Sequence, residues 1–114
     1  MTNNFDEVVA RLQRQRGVVG AMLVGIDDGM VIAGDAGSGR DSDTAAALAA
    51  SLFRRTRAAA ADAGLGQASF VRLEADRGHL CATARGDIVI VAVTGDGINL
   101  GRLRLEMLGA AEML

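Results

Sequence analysis

The 114-residue sequence has no lysine, proline, tryptophan or tyrosine, and it has only one cysteine and one histidine. A single cysteine, Cys81, excludes a disulfide within the chain and is typical of a protein from a reducing compartment. Three phenylalanines are the only aromatic residues. That leaves too little ring surface for a platform that stacks bases or sugars.

The charge balance excludes further classes of function. The net charge is −2, so the chain lacks the basic field of a nucleic-acid-binding protein, and we expect no nucleic-acid partner. Half of the residues are hydrophobic, yet no apolar run reaches the roughly 18 residues of a membrane span. The first residues are polar and acidic, unlike a signal peptide. We therefore expect one domain, residues 1–114, in the cytoplasm and without direct membrane insertion.

Residues 17–34 predict a β-hairpin at the centre of the fold. Two apolar runs, residues 21–26 and 30–33, flank Asp27-Asp28-Gly29. Asp-Gly between two such runs is a strong hairpin signal, because a tight turn needs positive φ at both central residues. The first run is apolar at nearly every position, so both of its faces should be covered by helices.

Apolar periodicity predicts three helices, over residues 3–16, from 41 or 42 to 63, and over 100–113. Polar residues suited to cap these helices precede or begin each one. They are Asn3 or Asn4 for the first helix, Asp41, Ser42 or Asp43 for the second, and Asn99 for the third.

Three more strands are predicted between the second and third helices. Residues 69–75 alternate as an edge strand does, residues 79–85 follow after a turn, and residues 88–93 are nearly all apolar, as in a central strand. Short connections make neighbouring strands antiparallel. The predicted fold class is α/β (α+β), a three-layer α/β/α sandwich around a five-stranded antiparallel sheet, in the order α-β-β-α-β-β-β-α.

The second helix has almost no polar side in its first half, residues 43–53. A helix that is apolar all round is normally buried all round. One face can meet the sheet, and the other must meet solvent or another chain. Alanine is also the best helix former and tolerates exposure, which is the alternative explanation. We favour a partner interface, while the sequence leaves open which face meets the sheet.

The glycine-rich segment after the hairpin invites comparison with a phosphate-binding loop. It lies between a strand and a helix, and the spacing of Gly34 and Gly39 matches the P-loop pattern. That pattern requires lysine followed by serine or threonine, whereas this chain has Arg40 and Asp41. Asp35 adds a negative charge. We therefore interpret the segment as a flexible connector.

No constellation for catalysis or metal binding is evident. His79 and Cys81 share one strand face, but a structural zinc takes four ligands and the chain has no other histidine or cysteine. No serine has the G-x-S-x-G context of a nucleophile. The aspartates at positions 27, 28, 35, 41 and 43 are explained by turns and helix caps. We expect a non-enzymatic protein without catalytic residue, metal or cofactor.

Four motifs occur in a recognisable order. They are Gly17-Val18-Val19-Gly20 after the first helix, the Asp27-Asp28-Gly29 turn, the alanine-rich run from Asp43 to Ala50, and Asn99-Leu100-Gly101 before the last helix. In this order they resemble the roadblock / dynein light chain family over residues 5–114. The fold of that family, profilin-like, agrees with the one predicted above.

The resemblance implies a homodimer in which the long helices pack together and the third strands can pair. It also implies a small Ras-like GTPase as a partner, as for the gliding-motility (Mgl) type of bacterial and archaeal members, docked around the long helices. The candidate interface residues are Ala45, Ala46, Ala49, Ala50, Leu52, Phe53, Arg54, Arg57, Phe70 and Arg72.

Arg54, Arg55 and Arg57 are the charged candidates for GTPase contact, and the alternative is that they are a solvated helix end. Two other functions stay open. One is a structural adaptor without effect on nucleotide turnover, and the other is a small-ligand module that uses residues 34–40.

Overall fold

The computed structural model describes residues 4–114, which form three helices and five strands in the predicted order. The helices are α1 (Asn4–Gln13), α2 (Ser42–Asp62) and α3 (Leu100–Ala111). The strands are β1 (Val18–Gly25), β2 (Val31–Asp35), β3 (Val71–Ala75), β4 (Gly78–Arg85) and β5 (Ile88–Thr94).

The five strands form one antiparallel sheet in the order β2-β1-β5-β4-β3. The two nearly continuous apolar strands, β1 and β5, pair in the interior of the sheet, with Leu23 opposite Ile90. The prediction that both lie centrally is confirmed. The alternating strand β3 lies at one end of the sheet, as predicted, and β2 lies at the other.

Helices cover both faces of the sheet, which confirms the three-layer α/β/α architecture. On one face, Val8 and Leu12 of α1 and Leu103 and Met107 of α3 pack in a core cluster with Leu23. On the other face, α2 packs over a second cluster that contains Met22, Val24, Val89 and Val91. Successive residues of β1 point to opposite faces, so this strand contributes to both clusters.

The turn between β1 and β2 differs from the predicted one. Gly29 has a positive φ of 69°, but no other residue type in the described chain has positive φ, so Asp28 does not adopt the expected conformation. The backbone N–H of Gly25 donates to Met30 O at 2.9 Å, which closes a longer loop. Within it, Asp28 Oδ1 accepts from the Met30 backbone N–H at 2.9 Å. The side chain of Asp28 therefore shapes the turn in place of its backbone.

The helix ends follow the predicted capping chemistry where they are described. Asp41 caps α2 by accepting from the Thr44 backbone N–H at 3.1 Å, and this bond lowers the pKa of the Asp41 carboxyl. Asn99 caps α3 by accepting from the Arg102 backbone N–H at 3.0 Å. The first helix ends at Gln13, three residues before the predicted end. The alternative cap Asn3 lies outside the described residues.

None of the helices within residues 4–114 has the length and apolar character to cross a membrane.

Candidate interaction surface on the long helix

The face of α2 that meets the sheet is formed by Ala46, Ala49, Ala50 and Phe53. Each of these side chains is at most 1% exposed and packs in the core cluster below α2. Three alanines on one face let the helix backbone approach its own sheet closely. These four residues cannot contact a partner while the chain is folded, so the structure removes them from the predicted interface.

The opposite side of α2, which we call the outer face, consists of residues 47, 48, 51, 52, 55, 58 and 59. Leu48 is 48% exposed and Leu52 is half-buried, while Ala47, Ala58 and Ala59 are exposed. No helix or strand formed by residues 4–114 covers this face, because α1 and α3 lie on the other side of the sheet. The outer face therefore presents apolar side chains that are available to a partner.

Two of the three arginines of α2 have contacts within their own chain. The guanidinium of Arg54 donates a hydrogen bond to the backbone oxygen of Ile26, the first residue after β1. The guanidinium of Arg57 lies 5.2 Å from the centre of the Phe53 ring, a cation–π distance. Arg55 is exposed on the outer face. Arg54 thus ties α2 to the β1–β2 loop, a structural role that the sequence did not indicate.

The remaining three predicted interface residues do not lie on the outer face of α2. Ala45 is half-buried beside the core cluster under α2. Phe70, just before β3, packs against the other core cluster, and the Arg104 guanidinium lies 5.7 Å from its ring centre. Arg72 is exposed and lies opposite Cys81 in the β3–β4 register, so it too is on the sheet face that α1 and α3 cover.

The edge strand β3 is a second place where a partner could bind. It pairs with β4 on one side only, and it ends the sheet. The unpaired N–H and C=O groups of such an edge can pair with a strand from another chain. Arg72 and Glu74 form an ion pair along it at 3.9 Å. The β3 edge is therefore a second candidate contact surface, in addition to the outer face of α2.

Polar groups of the glycine-rich loop before α2 form hydrogen bonds within the loop and with the first residue of α2. Asp35 Oδ1 accepts from the Gly37 backbone N–H at 2.8 Å, and Ser42 Oγ accepts from the Ala36 backbone N–H at 2.9 Å. Asp41 caps α2, as described above. The carboxylates of Asp35 and Asp41 would oppose a bound phosphate, so the geometry does not resemble a phosphate cradle.

His79 and Cys81 do not form part of a metal centre in the described chain. Among residues 4–114, no group of three or more histidine, cysteine or acidic side chains is placed to hold a metal ion. Cys81 is buried in the core between the sheet and α1 and α3, and this burial raises the pKa of its thiol. Cys81 is therefore a packing residue.

The sequence matches the family model of the Roadblock/LC7 domain over residues 4–94. The chain belongs to the Roadblock/LC7 family. This roadblock domain is 31% identical to the uncharacterised protein MJ1340 of Methanocaldococcus jannaschii over 110 residues, which cover 96% of each chain. The match extends over nearly the whole of both proteins.

Solved structures support the roadblock fold. A Roadblock/LC7 domain from Streptomyces avermitilis superposes with a TM-score of 0.84 at 22% identity, over 96% of this chain and 93% of that one. A structure of MglB with a tetrameric arrangement gives a TM-score of 0.84 at 25% identity, over 98% of this chain and 88% of that one. The fold of the roadblock domain is therefore that of MglB.

Sequence reasoning missed Leu48 as a candidate contact residue of the roadblock domain. Leu48 and Phe53 are five positions apart, which places them about 140° apart around a helix. Two large apolar residues so far out of phase cannot both face one sheet. That spacing was the available signal that Leu48 belongs to the second apolar face of α2.

Proposed function

We propose that this roadblock domain is a non-enzymatic homodimeric platform that binds and regulates a small Ras-like GTPase. The observation that carries the proposal is the outer face of α2, where Leu48 is 48% exposed beside half-buried Leu52. A large apolar side chain among exposed alanines on an uncovered helix supports a protein contact there. Membership of the Roadblock/LC7 family and the likeness to MglB favour a GTPase-linked platform over an unrelated binding module.

In the proposed dimer the outer faces of two α2 helices pack against each other. Small residues such as Ala47, Ala58 and Ala59 would allow close approach, and Leu48 and Leu52 would supply the apolar area that drives association. Pairing of the two β3 edges is the second part of the proposal. The GTPase would then dock beside the helices, where Arg55 is exposed and Arg54 and Arg57 are near.

Light scattering coupled to size-exclusion chromatography tests the dimer. We expect the natural protein to be a dimer at micromolar concentration and Leu48→Asp to be a folded monomer, because a charge would be buried at the contact. Leu105→Asp is the matched control, since Leu105 is 68% exposed on α3, on the opposite layer. A monomeric natural protein, or a Leu48→Asp variant that dimerises like the control, would contradict the proposal.

Ala49→Arg distinguishes loss of the interface from loss of the fold. Ala49 is fully buried against the sheet, so arginine there should unfold the chain, whereas Leu48→Asp should keep its secondary structure. Circular dichroism separates the two cases.

The GTPase partner is tested with Ras-like GTPases encoded in the same genome. Each GTPase, loaded with GDP or with a GTP analogue, is mixed with the immobilised domain, and single-turnover hydrolysis and nucleotide exchange are then measured. Binding that depends on the bound nucleotide and a changed rate are expected. If no GTPase from that genome binds, the proposal is wrong.

A structural adaptor is the second candidate function, because an apolar helix face and a free sheet edge suit a scaffold equally well. It predicts that the domain binds its partner but leaves the rates of hydrolysis and exchange unchanged at saturation.

A further inference from the structure

A pocket of about 720 Å³ lies between the C-terminal end of α1 and the N-terminal end of α3. Residues 14–17 form one wall, and residues 96–99 with Arg102 and Leu103 form the other. The two walls are joined by a hydrogen bond from the Gly95 backbone N–H to Gly17 O at 3.1 Å. Because α1 and α3 lie on the opposite layer from α2, the pocket is separate from the outer face.

Three arginines, Arg14, Arg16 and Arg102, line this pocket, and Asp96 is its one acidic residue. Within the described chain, none of the three arginines has a carboxylate within 4.0 Å. The pocket therefore carries a local excess of two positive charges in a chain whose net charge is −2. Unpaired guanidinium groups gathered in a concave site attract an anion.

A carboxylate of α3, that of Glu106, is paired with residues of α1 and of the segment that follows it. Glu106 of α3 forms an ion pair with Arg11 of α1 at 3.3 Å, and Gln15 Nε2 also donates to it at 3.5 Å. This contact links α1 to α3. Arg11 is therefore paired with a carboxylate, whereas the three exposed arginines of the pocket are not paired with one among residues 4–114.

We propose that this pocket binds the phosphate groups of a small anionic molecule. Guanidinium groups match phosphate oxygens bidentately, and the first turn of α3, which lines the pocket through Asn99 and Arg102, adds the positive end of a helix dipole. Ile98 and Leu103 supply an apolar wall. The volume is within the range of small-molecule sites and suits a phosphorylated small molecule better than a macromolecule.

The multiply charged phosphate group is the chemistry recognised, and it can come from a free polyphosphate or from a nucleotide. Calorimetric titrations of the full chain with inorganic pyrophosphate, GTP and guanosine near physiological salt distinguish these sources. Equal affinity for pyrophosphate and GTP means that the phosphates alone are bound. If GTP binds more tightly than pyrophosphate and guanosine gives no heat of binding, the apolar wall also contacts the base.

Substitutions locate the binding. Arg14→Gln and Arg102→Gln should each weaken pyrophosphate binding about tenfold, because each removes one charged hydrogen-bond donor. Arg77→Gln is the control, since Arg77 is an exposed arginine in the turn between β3 and β4. In ¹H–¹⁵N spectra, pyrophosphate should shift the amide signals of Gly97 and Arg102 and leave those of α2 in place.

Two results would overturn the proposal. One is the absence of saturable binding of pyrophosphate or GTP up to about 10 mM, an affinity too weak to matter. The other is equal binding by the two pocket variants and Arg77→Gln. Neither result bears on the proposed dimer or its GTPase partner, because the outer face of α2 is not involved.

Discussion

His79 and Thr94 lie opposite each other on β4 and β5, and each keeps a buried polar atom without a hydrogen-bond partner among residues 4–114. The atoms are the imidazole Nδ1 and the hydroxyl Oγ1. Thr94 is fully buried, so bulk solvent does not reach its hydroxyl. An unsatisfied buried hydroxyl costs stability, because it loses its hydrogen bonds to water on folding.

Thr94→Val should therefore stabilise the fold by about 1 kcal/mol, since valine has the same shape and no hydroxyl. Thr83→Val is the matched comparison, because Thr83 is also buried but its hydroxyl donates to Ser69 O at 2.8 Å. Loss of that bond should destabilise the fold by about 1 kcal/mol. Urea unfolding at constant m-value measures both. Equal destabilisation by the two substitutions would show that the Thr94 hydroxyl has a partner.

Gly20→Ala should destabilise the fold by about 2 kcal/mol, the cost of forcing an atom into a packed site. A Cβ at Gly20 would lie 2.2 Å from the carbonyl carbon of Ala36, so the loop before α2 would have to move. Gly95→Ala is the control, because a Cβ there meets no heavy atom within 4 Å. Thermal unfolding compares the two. Similar melting temperatures would mean that the loop moves without cost.

Arg54→Ala should lower the free energy of unfolding by about 1 kcal/mol, because it removes the hydrogen bond to the Ile26 backbone oxygen. Arg55→Ala, one residue along on the outer face, should change it by less than about 0.5 kcal/mol. Chemical denaturation tests the pair. If both arginines prove neutral, Arg54 does not stabilise the β1–β2 loop in solution.

The titration of Cys81 should be visible in the pH dependence of stability. The chain has no lysine or tyrosine, so Cys81 is its one side chain whose ordinary pKa lies between about 8 and 11. Burial raises the pKa of this thiol in the folded state, although the charge of Arg72 partly opposes the effect. The folded state therefore holds the proton more tightly than the unfolded state does.

By linkage, this contribution to stability is complete below the pKa of the unfolded thiol and is lost as the pH rises through the higher pKa of the folded one. As the pH rises above about 8.5, the ordinary pKa of a thiol, the natural protein should lose stability more steeply than Cys81→Ala. Urea unfolding across this range gives the two slopes. Equal slopes for the two proteins would show that burial does not shift the pKa of the Cys81 thiol.

The strands and their neighbours could be predicted because their patterns are local and distinct. Residues 88–93 are apolar throughout and lie in the interior of the sheet, whereas residues 71–75 alternate and lie at its edge. The predicted conformation of the β1–β2 turn was wrong. The prediction rested on the Asp-Gly pair alone, and that pair does not show that the Asp28 side chain hydrogen-bonds to the backbone.

The candidate surface was harder to predict. Residues 45–50 are alanine at all positions except Leu48, so the stretch has almost no contrast between the two sides of the helix. Four of the ten predicted interface residues consequently face the core of their own chain, while Leu48 on the outer face was not included. Phe70 and Arg72 lie on the sheet face opposite to α2, which only the register of β3 with β4 reveals.

The sequence by itself determined the order of the elements, the central position of β1 and β5, and the family, because these follow from local periodicity and ordered motifs. Only the tertiary structure decided which face of α2 is exposed. Alanines lie on both sides of this helix, so their sequence does not show which of them pack against the sheet. The tertiary structure also brought Arg14 and Arg16 beside Arg102, residues far apart along the chain. Such proximity arises from the packing of α1 against α3 on one face of the sheet, which no short stretch of sequence encodes.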